Sequence, residues 1–127
     1  MSSPNDCSFS DSHEWFRVDG DEVTVGISSF AADELTDITF VEMKPVGTTI
    51  AAGDPIGEVE SVKATSDVFS VIGGEITAVN DAVSDDPALV NSDSYGNGWL
   101  VKMETADVAP LGALMDWSTY DSKHPVG

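Results

Sequence analysis

Several residue types in this 127-residue chain could do chemistry, but most lack the neighbours that their chemistry needs. His13 and His124 stand far apart, with no Cys or His at ligand spacing, so a zinc site has no ligand set. Cys7 is the single cysteine; it forms no internal disulfide, has no second thiolate with which to hold a metal, and reads as an incidental N-terminal residue. Ser61 lacks the glycine frame of a nucleophile elbow, and no histidine is placed to serve it. Gly73-Gly74 and Gly96-Asn97-Gly98 precede neither a convincing helix nor a Lys-Ser/Thr pair, so they are turns rather than phosphate loops. A lysine remains. In Val59-Glu60-Ser61-Val62-Lys63-Ala64-Thr65-Ser66-Asp67-Val68, Lys63 occupies a short polar stretch between two strand-like runs, where a hairpin presents a side chain to solvent. Most such lysines only keep a loop soluble. Here lysine is scarce, and Gly73-Gly74 marks the next turn shortly beyond.

The elements that must position Lys63 are mostly strands. Trp15, Arg17 and Asp19 alternate with Phe16 and Val18, Asp19-Gly20-Asp21 supplies turn chemistry, and Val23, Val25 and Ile27 then alternate with Thr24, Gly26 and Ser28. That is a hairpin pattern. From Ser28 to Asp37 a short helix is predicted: Ser28 or Ser29 caps it, Asp33 and Glu34 lie in its early turns, and Phe30, Ala31 and Leu35 share one face. Strands are predicted again at Ile38–Met43, Ile56–Val62, Asp67–Ile72, Glu75–Val79 and Trp99–Glu104, with turns at Pro45-Val46-Gly47, Gly53-Asp54-Pro55, Gly73-Gly74 and Asn97-Gly98. Such close spacing points to a sandwich or barrel, not to βαβ units. A helical turn is expected near Asp86–Val90, and Thr105–Tyr120 reads as helical with an interruption at Pro110. Trp15, Tyr95 and Trp99 are core or edge aromatics.

Composition sets the frame. A chain of this length is expected to fold as one domain over residues 1–127, with a single modest core. Hydrophobic residues make up 41% of it, which argues against disorder despite the charge. Five basic residues (Arg17, Lys44, Lys63, Lys102, Lys123) face 23 acidic ones, for a net charge of -18, so nucleic acid and anionic membranes are disfavoured partners. The carboxylates are spread along the chain between apolar positions, as on a solvated surface rather than a tail. Self-repulsion of that size is screened over about 3 Å at 1 M salt but about 10 Å at 0.1 M. The composition therefore suggests a salt-rich, halophilic cytoplasm. No long apolar run occurs, and Met1-Ser2-Ser3-Pro4-Asn5-Asp6 lacks the basic and apolar regions of a signal peptide, so a cytoplasmic monomer is expected.

Glu60-Ser61-Val62-Lys63-Ala64 resembles the lipoylation motif of glycine cleavage H proteins. The likeness continues in order and spacing through Ser12-His13-Glu14-Trp15, Val25-Gly26-Ile27-Ser28, Phe40-Val41-Glu42, Gly74-Glu75-Ile76 with Val79-Asn80, Pro87-Ala88-Leu89-Val90-Asn91, and Tyr95-Gly96-Asn97-Gly98-Trp99-Leu100. It spans about residues 9 to 120. Two departures stand out: Thr36 falls where the family usually has Gly, and Ser70-Val71-Ile72 lacks the usual Pro. The resemblance implies a mainly β, lipoyl/biotinyl-like barrel-sandwich hybrid with short helices, in which two small antiparallel sheets pack face to face and the lysine lies at a hairpin tip.

It also implies a carrier rather than an enzyme. Lys63 would hold lipoate as an amide, which removes its charge and creates a long arm ending in a dithiolane. The implied partners are a lipoyl-attaching enzyme, glycine decarboxylase (P protein), which loads an aminomethyl group, aminomethyltransferase (T protein), which passes its carbon to tetrahydrofolate, and dihydrolipoamide dehydrogenase (L protein), which reoxidises the dithiol. The loaded amine is a cation, so a groove carboxylate is expected to hold it. Glu14 and Asp67 are the candidates, with Ser12 and His13 beside the arm. Biotin carriers usually flank their lysine with methionines, and Val62-Lys63-Ala64 does not. A lipoyl domain of another multienzyme complex, or a protein relaying lipoyl groups to other carriers, would use the same lysine.

Overall fold

A computed structural model describes residues 6–105 and 108–123; the readings of Met1–Asn5 and of His124 lie outside the described residues. The predicted first hairpin forms as β2 (Glu14–Asp19) and β3 (Glu22–Ile27), paired from Glu14↔Ile27 to Asp19↔Glu22. Gly20 closes the turn at φ 65°, a conformation that a Cβ disfavours. Inside the hairpin Gly26 serves packing instead: a Cβ there would meet the Trp15 indole at 2.6 Å, so this glycine lets the buried ring lie flat against the neighbouring strand.

β2 and β3 belong to a six-stranded antiparallel sheet ordered β1-β2-β3-β9-β8-β5, with β1 at Ser8–Phe9, β5 at Thr49–Ile50, β8 at Gly74–Val79 and β9 at Val101–Glu104. A second sheet has three antiparallel strands, ordered β4-β6-β7: Ile38–Met43, Pro55–Ser61 and Thr65–Phe69. Val25, Ile76, Val101 and Met103 from the larger sheet and Val41, Val59 and Val68 from the smaller are buried in one apolar cluster. Each such side chain contributes about 1.5–3 kcal/mol by leaving water. Strand alternation sends Phe40 and Glu42 of β4 and Asp67 and Phe69 of β7 to solvent.

Helix α1 (Ser29–Leu35) is capped by Ser28, whose Oγ accepts from the Ala31 amide at 3.1 Å, as the residue types predict. The single expected turn near Asp86–Val90 is instead two short helices, α2 (Asp81–Asp85) and α3 (Ala88–Ser92), with Asn80 capping the first. The C-terminal helix differs more. Ala109–Ala113 is a 3-10 turn with Pro110 in its first positions, Met115 bridges Phe9 of β1, and helix α4 occupies Trp117–Lys123. Proline cannot continue an α-helix, and pairing with β1 draws the segment out straight. Tyr120 then stacks on Phe9 with ring centroids 4.4 Å apart, in a second buried cluster with Cys7 and Trp15. The strands β1 and β5, two residues each, carry too little pattern to be read from sequence.

Candidate functional site

Lys63 lies at the tip of the β6–β7 hairpin, in the exposed turn Val62-Lys63-Ala64. Ser61, unremarkable as a nucleophile, builds that turn. Its Oγ accepts from the amides of Lys63 (3.1 Å) and Ala64 (3.0 Å) and donates to the Ala64 carbonyl at 3.1 Å. The Val62 amide donates to the Asp37 carbonyl at 3.2 Å and ties the turn to the end of the α1 connection. Lys63 is thus presented on a braced support while its side chain stays in solvent. Its Nζ donates to the Glu34 carbonyl at 3.0 Å, where the C-terminal end of α1 favours a cation.

Glu34 belongs to the rim of a cleft of about 380 Å³, lined by Ser12, His13, Phe30, Ala31, Leu35 and Ser66. The helix face shared by Phe30, Ala31 and Leu35 is half-buried and walls the cleft, while Ala32 is buried. Phe30 lies against the His13 ring with centroids 4.9 Å apart. His13 has φ 73°, and its Nδ1 is 2.8 Å from the Tyr120 hydroxyl, itself 2.6 Å from Ser28 Oγ. The C-terminal helix thereby braces one wall. Burial pushes the Tyr120 hydroxyl up to about 12, so it stays protonated at neutral pH.

Glu14 sits behind Ser12 and is 1% exposed. Its Oε1 accepts from Ser12 Oγ and Ser10 Oγ, both at 2.5 Å, and its Oε2 accepts from the Phe69 amide at 3.1 Å. That last bond joins β2 of one sheet to β7 of the other. A carboxylate offers about four acceptor positions, so a position on Oε2 remains for one more donor.

The structure brings Ser12, His13 and Glu14 together beside the cleft that Lys63 reaches. It does not bring Asp67 to them. Ser66 faces the cleft, and the alternation of β7 turns Asp67 to the opposite face, into a separate depression with Glu42 and Glu58. Sequence reasoning missed Glu34, Phe30 and Ser66. Phe30 is separated from the motif strands by β4 and β5, so its place in the chain did not mark it, and the Glu34 contribution is a backbone carbonyl that leaves no trace in residue type.

Cys7 is buried, and burial pushes its thiol up to about 12 although Arg17 lies beside it. The Arg17 guanidinium donates to Asp6 at 3.0 Å and lies 4.7 Å from the Trp15 ring centroid, a structural arrangement remote from the lysine. Among the described residues, no helix is long and apolar enough to cross a membrane.

Residues 7–124 match the family described as Glycine cleavage H-protein. The chain is 48% identical over 120 residues to the glycine cleavage system H protein of Cronobacter sakazakii, covering 94% of this chain and 93% of that one. It is 44% identical to the protein of the same name from Bacillus cereus, covering 94% of each. A crystal structure of a glycine cleavage system H protein from Mycobacterium marinum matches with a TM-score of 0.87 and 39% identity, covering 98% of this chain and all of the other.

Proposed function

The chain belongs to the glycine cleavage H-protein family, the lipoyl carriers of the glycine cleavage system, and from that premise we propose that Lys63 receives the lipoyl group within one carrier domain spanning residues 1–127. The observation that carries this reading is the position of Lys63: an exposed hairpin tip whose Nζ rests 3.0 Å from the Glu34 carbonyl on the rim of a cleft. Another lysine, Lys102, is engaged elsewhere, over the Trp99 ring at 5.3 Å and beside Glu22 at 3.9 Å.

The site fits a lipoyl arm. Phe30, Ala31 and Leu35 offer apolar wall to an aliphatic chain, and Ser12 and His13 offer polar groups at one end. Bound as an amide, lipoate supplies a dithiolane that is reduced, loaded and reoxidised. The protein's own residues present and protect. Ser61 holds the tip so that Lys63 projects outward, and the wall formed by α1 excludes water from one side. Glu14, with its remaining acceptor position and Ser12 in front of it, holds a cationic amine when the Ser12 side chain turns aside. Asp67, on the other face of β7, is the less favoured of the two carboxylates.

In this reading the carrier itself catalyses nothing. It meets glycine decarboxylase, aminomethyltransferase, dihydrolipoamide dehydrogenase and a lipoyl-attaching enzyme, as a monomer in a salt-rich, halophilic cytoplasm. Peptide mass spectrometry of the native protein tests the central claim: one lipoyl group on Lys63 is expected, and Lys63→Arg should abolish glycine cleavage while leaving the fold intact, because an exposed loop change costs little. Lipoylation at another lysine, or activity retained by Lys63→Arg, would overturn it.

A further inference from the structure

Asn91 ends the run Pro87-Ala88-Leu89-Val90-Asn91 on α3 and is not among the residues lining the cleft, yet its side chain reaches the segment that holds the Lys63 turn. Among the described residues, two hydrogen bonds join that turn to α1 and its connection to β4. The Val62 amide donates to the Asp37 carbonyl at 3.2 Å, and Lys63 Nζ to the Glu34 carbonyl at 3.0 Å. Both acceptors belong to residues 34–37, where the helix ends. That end is poorly secured from within. The Thr36 amide turns to the Asp33 carbonyl at 3.2 Å rather than to Ala32, Thr36 stands at φ 62°, and α1 has no basic residue in its last turn.

Asn91 secures it from outside. Its Nδ2 donates to the Thr36 carbonyl at 2.7 Å and to the Ala32 carbonyl at 3.3 Å, and its Oδ1 accepts from the Ile38 amide at 3.0 Å. The Ile38 N–H and the Asp37 C=O belong to one planar trans peptide unit and point in opposite directions. Asn91 thus grips one end of the peptide group whose other end receives the Val62 amide. Hydrogen bonds arranged in such a chain polarise and strengthen one another. A side-chain amide supplies both the two donors and the acceptor that these backbone groups require, which a carboxylate cannot do.

We propose that Asn91 is a positioning residue for the lipoyl arm: by fixing the Asp37–Ile38 peptide and the Thr36 carbonyl before it, Asn91 sets the Lys63 turn, the arm's root, against the α1 wall of the cleft. The inference rests on the reading of Lys63 as the attachment point beside that cleft. Acylation enlarges the role. When Nζ becomes an amide nitrogen, its bond to the Glu34 carbonyl loses its charge assistance, so the tether through the Asp37 carbonyl carries more of the alignment. A root that drifts from the wall exposes the loaded arm to water, because supporting contacts determine how closely a site keeps its geometry.

The test uses the full-length protein. Asn91→Asp keeps the shape and the acceptor for Ile38 but has no donor for Thr36 or Ala32, and Asn91→Ala loses all three bonds. Asn80→Asp and Asn80→Ala are matched controls: Asn80 also donates to two carbonyls, those of Asn97 and Trp99 at 2.7 Å each, and accepts from the Ala82 amide at 3.1 Å. The first readout is amide hydrogen exchange by NMR on the unmodified chain. In both Asn91 variants the Val62 amide should exchange about tenfold faster relative to the Ser61 amide, which is bonded within the hairpin to the Ala64 carbonyl at 2.8 Å. General destabilisation would quicken both amides alike and leave their ratio unchanged. The second readout is the lifetime of the aminomethyl-loaded arm, isolated from partner enzymes, on protein whose lipoate is verified at Lys63 by peptide mass. It should shorten about three- to tenfold in the Asn91 variants and stay within about twofold of wild type in the Asn80 variants. An unchanged Val62-to-Ser61 ratio, an unchanged lifetime, or equal changes in the Asn80 variants would overturn the positioning role. Exchange is measured without lipoate and so stands apart from the attachment reading, which lipoate on another lysine would defeat by itself.

Discussion

Replacing Thr36 by glycine should make this protein more stable, which is unusual for a change that deletes a side chain. Thr36 ends α1 with φ 62° and ψ -139°, a region close to one that only glycine visits readily. A β-branched residue held there costs about 1–3 kcal/mol. Its backbone contacts survive the change: the Thr36 amide donates to the Asp33 carbonyl at 3.2 Å, and Asn91 Nδ2 donates to the Thr36 carbonyl at 2.7 Å. The side chain donates only to the adjacent Leu35 carbonyl, in an exposed position. Against the relieved strain stands the greater freedom of glycine in the unfolded chain, about 0.5–1 kcal/mol. The net gain is on the order of 1 kcal/mol, or about 3–6 °C in Tm for a chain of this size. Calorimetry or circular-dichroism melts in fixed salt, on wild type, Thr36→Gly and Thr36→Ala, provide the check. Alanine keeps the Cβ and so should recover little. A Thr36→Gly protein no more stable than Thr36→Ala would show that the backbone carries no strain there.

Loaded with its aminomethyl group and isolated from partner enzymes, the carrier should lose that group roughly ten- to a hundredfold faster as Glu14→Gln, since a hydrogen bond to a charged group is worth about 1.5–3 kcal/mol, whereas Asp67→Asn should match wild type; equal lifetimes in all three would remove Glu14 from the arm's protection. Thermal midpoints should climb between dilute buffer and molar salt, because 23 carboxylates against five basic residues repel one another over distances that salt shortens; a flat or falling midpoint would mean the charges are compensated locally. In alkali, Cys7 and Tyr120 should both destabilise the fold. Each has its pKa raised to about 12 by burial, so the stability they provide is complete below their ordinary values and is lost as pH rises through that window. Cys7→Ala should flatten the pH dependence of the melting temperature in the Cys7 part of it, and an unchanged slope would contradict the buried-thiol assignment.

Much of this architecture is legible in the residues alone. Two-residue periodicity places β2 and β3, because alternation is imposed by the pleat itself and needs no knowledge of what lies across the sheet. Ser28 announces α1 through a local capping bond, and the motif around Lys63 marks the attachment turn. The departure at Thr36 was also visible, and the positive φ explains why glycine is usual there. The missing Pro beside Ser70 has a counterpart too: the buried Ser70 hydroxyl donates to the Ile72 carbonyl at 2.7 Å and accepts from the Ile72 amide at 3.2 Å, closing the turn by hydrogen bonds.

What only the tertiary structure decided depends on which surfaces meet. Tyr120 reaches back across most of the chain to His13 and Ser28, and Glu14 accepts from the Phe69 amide of the opposite sheet; pairings at such separations leave no periodic trace. The late start of α4 and the bridge from Met115 to Phe9 follow from a nonlocal strand contact that overrides helical propensity. Asp67 shows the limit most directly. Its distance from Lys63 along the chain made it a neighbour of the arm, but the pleat turns consecutive residues to opposite faces, and only the packing of the two sheets determines which face becomes the cleft.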